Sequence, residues 1–434
     1  MTSFNQLFYN KLNFFDKLSF LLFSILPISI IIGNAAININ LWLIVLLFLI
    51  YCFKFKIWSW LKKNIFLYLI TLYFFLNLNS LYSYFVIFEN QTDPFWTDDG
   101  IKRSLTFIKF VFLVLAFSIL LKDRKILDLV HKSWFCVIFI VIVDIFFERL
   151  LGRNIIGNVS PDNTRIVSFF KDELVVGGFI FCFGYASVSY FINNKTKNKY
   201  ILPIMVIFLL IPLSIFITGE KSNFIKSILL FIVTIYFLNK NNYSFNFKIL
   251  LASTIFFIFC FVAFNKEMRI KYTETFDRIK PTLAENYINI KYFSHYDIAI
   301  KIFKNYPVTG VGNKNFRVEC FDEKYRDENN MMHFGCITHP HQIHFEILSE
   351  QGILGYILIL YLIVSFSIKN LKRAIKNKNV YHFSNTVYLM IFFIPLLPGG
   401  GIFSTFNGIL FWTIFSLVNL EYEKSKKILQ KHYK

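Results

Sequence analysis

Residues 201–239 read ILPIMVIFLLIPLSIFITGEKSNFIKSILLFIVTIYFLN. Two apolar runs, 200–218 and 223–239, are separated only by the polar turn Gly219-Glu220-Lys221-Ser222. A helix needs ~20 apolar residues to cross the ~30 Å of hydrocarbon in a bilayer. The same pattern recurs on both sides. Further spans are expected at 18–37, 39–54, 65–87, 104–121, 133–148 and 174–193. Others follow at 248–265, 352–368, 384–398 and 404–420. The expected fold is an all-α integral membrane protein with about twelve transmembrane helices. No small-x-small cleavage site follows the first apolar run, so that run is expected to be retained as a span.

Composition agrees. The chain has 434 residues, 56% hydrophobic and 17% charged, with 56 Phe and 23 Tyr. A soluble chain would carry about a quarter of charged residues. The net charge of +19 would suggest nucleic acid in a soluble protein. Here most lysines sit in short loops between apolar runs and set topology, so no nucleic-acid partner is expected. With the N-terminus inside, the inner loops carry Lys54, Lys56, Lys62 and Lys63, then Lys122, Arg124, Lys125 and Lys132, and later Lys369, Lys372, Arg373, Lys376 and Lys378. The short outer loops at 33–38, 219–222 and 399–403 hold one cation between them, Lys221. That alternation is the positive-inside rule, and it puts both termini in the cytoplasm.

Two outer loops are longer, at about 149–173 and 266–351. The chain therefore divides into spans one to nine (1–265), a large outer loop (266–351) between the ninth and tenth spans, and the last three spans with a basic tail (352–434). Within the large loop, residues 296–303 have amphipathic helical spacing. Pro307 ends that helix, and Gly310-Val311-Gly312 reads as a tight turn. Cys320 and Cys336 share this loop. In an oxidising compartment two such cysteines form a disulfide; two free thiols is the alternative.

His339, His341 and His344 fall within six residues, with His333 just before them. Histidine exchanges protons near neutral pH. A metal site is the other reading, but there is no HExxH, and His341 to His344 is one residue short of the i, i+4 spacing of such motifs.

Three segments resemble the O-antigen ligase and polymerase family. The first is His341-Gln342, nine residues, then Gly352-Ile353-Leu354-Gly355, preceded by Thr338-His339-Pro340. The second is Asn305-Tyr306-Pro307 through Gly310-Val311-Gly312 to Phe316-Arg317. The third group comprises Arg165-Ile166-Val167-Ser168 and Thr218-Gly219-Glu220-Lys221. Relatives usually carry Arg where this chain has Lys221, and often another Arg near 291–296, where it has none. Lys keeps the charge but lacks the bidentate fork.

The resemblance implies a GT-C-like enzyme of the bacterial inner membrane, multi-pass, with the large loop in the periplasm. It implies transfer of a glycan from an undecaprenyl-diphosphate-linked donor to an acceptor hydroxyl on the lipid A core. The alternative within the family is a polymerase that extends another lipid-linked glycan. Membrane lipid is a further partner. No cofactor, nucleotide sugar or metal is implied. His341 is the expected general base; Lys221 and Arg165 face the diphosphate charge. Arg317, His339, His295 and Glu220 are expected to bind substrate. The bland readings are a helix cap for His341, pairing of Arg165 with Asp172 or Glu173, and pairing of Glu220 with Lys221. A transporter or flippase is the rival from another class, with Asp144 and Lys226 as its buried charges.

Overall fold

The computed structural model describes residues 13–88, 94–161, 164–171, 173–194, 201–241, 291–325, 336–395 and 397–432, with scattered positions in 252–273. Most of the expected span at 248–265 thus lies outside the described residues, as do His333 and Asp172. The described residues form helices and connecting turns, without strands. Seven stretches among them are long and apolar enough to cross a membrane: Phe14–Ile32, Asn34–Lys54, Asn64–Ile87, Gly100–Leu120, Val176–Asn194, Lys221–Lys240 and Ile343–Lys376. Helices Arg124–Leu151, Val380–Phe392 and Thr405–His432 occupy three more of the expected spans but lie outside that set. The chain is an all-α membrane protein.

Helix Asn34–Lys54 shows why lipid is its solvent. Leu41, Ile44, Val45 and Phe48 are buried, while Trp42, Leu46, Ile50 and Phe53 are exposed on another face, Phe53 by 67%. In water such a stripe would aggregate; in hydrocarbon it costs nothing. Inside the bundle, aromatic rings interlock, as in the stacked pair Phe237–Phe383, 3.9 Å between centroids.

Several boundaries differ from expectation, each for a backbone reason. The first span ends at Gly33 (φ 124°), so the next begins at Asn34, not 39. Helix Arg124–Leu151 starts nine residues before the expected span, because Asp123 caps it by accepting from Lys125 N–H. It stops at Gly152, which is left-handed (φ 73°). The tenth span, expected at 352–368, is the inner part of the 34-residue helix Ile343–Lys376, broken at Gly352.

The large outer loop has its own small core. Helix Lys291–Asn305 buries Ala299 and Ile302 against Val311, Phe316 and Tyr325, with Phe88 from the bundle. It is longer than the expected 296–303 and ends two residues before Pro307. A disulfide joins Cys320 and Cys336, Cα–Cα 5.2 Å.

Candidate functional site

Two of the motif segments are the two halves of one joint. Helix Ile343–Lys376 breaks at Gly352, with φ 60° and ψ −168°. The turn after helix Lys291–Asn305 fills that break. Val311 N–H donates to Ser349 O (2.9 Å), Gly312 N–H to Glu350 O (2.8 Å), and Ile353 N–H to Pro307 O (2.9 Å). A Cβ on Gly352 would collide with the Val308 carbonyl, and one on Gly310 with the backbone of 349–352. Gly355 is small for a different reason: Phe75 packs against it. Asn79 secures the joint from the bundle side, donating to Gln351 Oε1 at 2.9 Å.

The histidine segment enters that helix from above. Gln342 is the cap; its side-chain oxygen accepts from His344 N–H (2.7 Å) and Phe345 N–H (3.1 Å). Capping explains why a residue with a side-chain oxygen belongs there, and it relieves His341 of the capping role. His341 itself is left-handed, φ 55°, and its carbonyl accepts from Gly399 N–H at 2.7 Å. Its ring lies 4.2 Å from His339 and 5.9 Å from the buried His295, between centroids. His344 has both ring nitrogens engaged, with Tyr356 Oη (3.0 Å) and Phe393 O (2.8 Å). It anchors the helix and is not a partner of the other three.

Below the histidines is a buried ion pair. Lys314 Nζ reaches Glu346 Oε1 at 2.5 Å, with side chains 5% and 1% exposed. Burial works against the Lys314 charge, but the Glu346 and Glu350 carboxylates outweigh it and hold its pKa above the usual lysine range. Burial instead pushes His339 down; Glu346 opposes this, while Lys314, Arg317 and His295 add to it. Lys314, Arg317 and His339 border a cavity of about 480 Å³. Arg103, Lys171, Lys314, Arg317 and His339 all line it, with Glu173. The remaining walls come from the Gly33 turn and residues 401–407. Apart from a few helix-end residues, the walls belong to segments that the positive-inside pattern places outside.

The loop before helix Val176–Asn194 is held by two buried carboxylates. Ser168 Oγ donates to Asp144 Oδ2 (2.5 Å), and Ser168 N–H to Glu148 Oε2 (2.6 Å). Ile155 N–H donates to Asp144 Oδ1 at 2.7 Å. Arg165 donates to Leu174 O at 3.2 Å and acts electrostatically on Glu220. Glu220 accepts from Gly177 N–H (2.6 Å) and Asn223 Nδ2 (2.6 Å). It thereby sits on the N-terminus of Val176–Asn194, where negative charge is favoured. Burial pushes its carboxyl up; these donors and Arg165 pull it back. Lys221 opens helix Lys221–Lys240 and is half-buried. Its neighbour Ser222 donates to Pro398 O, and Pro398 precedes the Gly399 that meets His341.

The expected residues therefore fall into two groups. His341, His339 and His295 cluster, with Arg317 and His339 on the cavity wall. Arg165, Glu220 and Lys221 gather at the 218–222 turn, linked to His341 through 398–399; none of the three lines the cavity. Arg103, Lys171, Lys314 and Glu346 are additions. Lys314 had a signal, being the one cation inside the turn Gly312-Asn313-Lys314-Asn315. Arg103 and Lys171 had none beyond their charge.

Residues 204–360 match the profile of the O-antigen ligase family. Over that stretch the chain is similar to the O-antigen ligase and polymerase family, and the match supports the resemblance of the motifs. No curated protein matches it significantly. The matched stretch runs from helix Ile201–Ile217 through both halves of the Gly352 joint and ends just past Gly355. Arg103, Arg165, Lys171 and the 398–407 segment lie outside it. The match points to ligase- or polymerase-type activity.

Proposed function

We propose that the protein is a ligase, moving a glycan from undecaprenyl diphosphate to a hydroxyl of the lipid A core at the periplasmic face of the inner membrane. The cavity of about 480 Å³ carries this reading. It gathers four cationic side chains and His339, which clusters with His341 and His295, at the end of the bundle from which a lipid-borne donor enters. A diphosphate leaving group requires such charge. Lys314 is engaged by Glu346, so Arg317, Lys171 and Arg103 meet the diphosphate. Arg165 and Lys221 add positive field from the adjoining turn. The acceptor oxygen attacks the anomeric carbon and its proton passes to His341. The sugar–oxygen bond to the diphosphate breaks, and undecaprenyl diphosphate departs with the electron pair. Cations supply the charge stabilisation in this scheme, and no metal or cofactor takes part.

The transporter reading loses its two residues. Asp144 fastens the 154–168 loop, and Lys226 donates to Pro398 O at 3.1 Å. Both are committed to holding outer turns.

The test is a deletion strain complemented with wild type or His341→Ala. Wild type should restore long-chain glycan on the lipid A core, and His341→Ala should not, at equal protein level. Restored glycan with His341→Ala would eliminate the base. If the deletion instead accumulates core carrying single repeat units, the protein is the polymerase. Lys221→Arg should retain far more activity than Lys221→Ala, because charge is kept.

A further inference from the structure

A second cavity, of about 380 Å³, lies at the other end of the bundle. Its walls come from the start of helix Asn64–Tyr82 and from the later parts of Ile343–Lys376 and Thr405–His432. Lys369 on this wall and the break at Gly352, which meets the turn leading to Lys314, share one helix. They are 17 residues apart, roughly 26 Å at 1.5 Å per residue. The two cavities are thus separate sites.

Four lysines line it: Lys62, Lys63, Lys369 and Lys426. The one acidic residue on the wall is Glu423, which pairs with Lys63 at 2.9 Å. Lys369 stands over the Tyr422 ring, 4.9 Å from its centroid. The positive-inside rule accounts for lysines at this end. It does not account for Asn419. That side chain is 1% exposed, lines the cavity, and its Nδ2 has no hydrogen-bond partner. A buried amide donor without an acceptor is costly, and an occupant bearing acceptor oxygens would satisfy it.

The cavity also borders the lipid-facing surface. Tyr361 and Tyr68 line it and are 58% and 41% exposed, their rings 6.2 Å apart. Leu61 and Val364, next in sequence to lining residues Lys62 and Ser365, are exposed as well. Acyl chains have a track there that a soluble anion would not use.

We propose that this cavity binds the headgroup of an anionic glycerophospholipid of the inner leaflet. The phosphate sits among the lysines, a headgroup or ester oxygen accepts from Asn419, and the acyl chains lie along Tyr68 and Tyr361. Basic pockets between helices on the cytoplasmic side suit such headgroups.

The experiment uses the full chain in nanodiscs of mixed phosphatidylglycerol and phosphatidylcholine, with retained lipid counted by native mass spectrometry. Wild type should retain phosphatidylglycerol over phosphatidylcholine by about tenfold. Lys62→Gln/Lys369→Gln should bring the ratio near one, and Asn419→Leu should lower it. Should the Asn419 variant fail to fold, Lys426→Gln, which alters an exposed side chain, replaces it and should lower the ratio. Millimolar inorganic phosphate should not displace the lipid. An unchanged preference in the lysine double variant, no preference in wild type, or displacement by phosphate would each overturn the proposal. None of these readouts depends on glycan transfer, so the ligase reading stands or falls separately.

Discussion

At the residue scale, His341 is held in a conformation that few side chains accept. Left-handed backbone costs a non-glycine residue of order 1–3 kcal/mol, and Asn tolerates it better than β-branched residues. His341→Asn should therefore express and melt like wild type yet lack transfer. His341→Val should melt lower as well, by about 1–2 kcal/mol of stability. Equal melting of the two variants would remove the strain argument. The motif made this histidine visible in the sequence, but not its backbone, since a φ value leaves no mark on composition. His339 gives a pH prediction. Its pKa is depressed by burial, so at low pH the unfolded chain takes the proton first. Its share of stability is fully present above about pH 6.5 and is lost as pH falls through the depressed folded value. Thermal melts between pH 8 and 5 should show a smaller acid-side loss in His339→Gln than in wild type. Equal losses would assign the pH dependence to other groups.

At the element scale, the joint at Gly352 lets a helix and a turn share one set of backbone hydrogen bonds. Gly352→Ala meets two penalties. A backbone at φ 60° and ψ −168° is nearly restricted to glycine and costs another residue of order 1–3 kcal/mol, and the Val308 carbonyl leaves no room for a Cβ. Gly157 also has a positive φ, 89°, but has open space around it. Gly157→Ala should carry only the backbone cost, so chemical denaturation should separate the two variants clearly. The Lys314–Glu346 pair makes a second prediction. Lys314→Met strands a buried carboxylate and should cost about 3–5 kcal/mol. Lys314→Met/Glu346→Met should recover most of that; a double variant as unstable as the single would mean that the pair is not the source. The sequence showed the glycines and the Gln342 position as a spaced motif. It could not show that 307–312 and 349–354 bond to each other, because pairing across forty residues has no local periodicity.

At the scale of the whole molecule, apolar runs made most helices legible, since length and hydropathy alone decide what crosses a bilayer. Breaks such as Gly33 and helix extensions such as Arg124 to Ser133 were not legible, because one φ angle or one cap decides them. The site was legible in part for a similar reason. Histidines and cations clustered in motifs stood out, whereas Arg103 and Lys171 reach the cavity only through tertiary packing. Orientation remains an expectation with a direct measurement. Alkaline phosphatase fusions at Lys280 and Arg326, both outside the described residues, should be active, and a fusion at Lys376 should be inactive. The reverse pattern would invert the bundle and exchange the compartments of the two cavities.

The break in helix Ile343–Lys376 also turns it into a measuring rod. Its 34 residues would run to roughly 51 Å unbroken, against about 30 Å of hydrocarbon. The arm from 343 to 351 accounts for roughly 13 Å of the surplus. With Gly352 at the membrane surface, where the expected span 352–368 begins, this arm would extend beyond the hydrocarbon, with Glu346 partway along it and His341 just before its start. The elevation of the histidine is thereby set by where Gly352 settles in the membrane, and a lipid-borne phosphate travels at the elevation of its own headgroup. In that placement a thicker bilayer would bury the foot of the arm and bring the histidine toward that traffic, and a thinner one would move it away. Acyl-chain length, which touches no residue of the cavity, becomes a dial on the distance between the two.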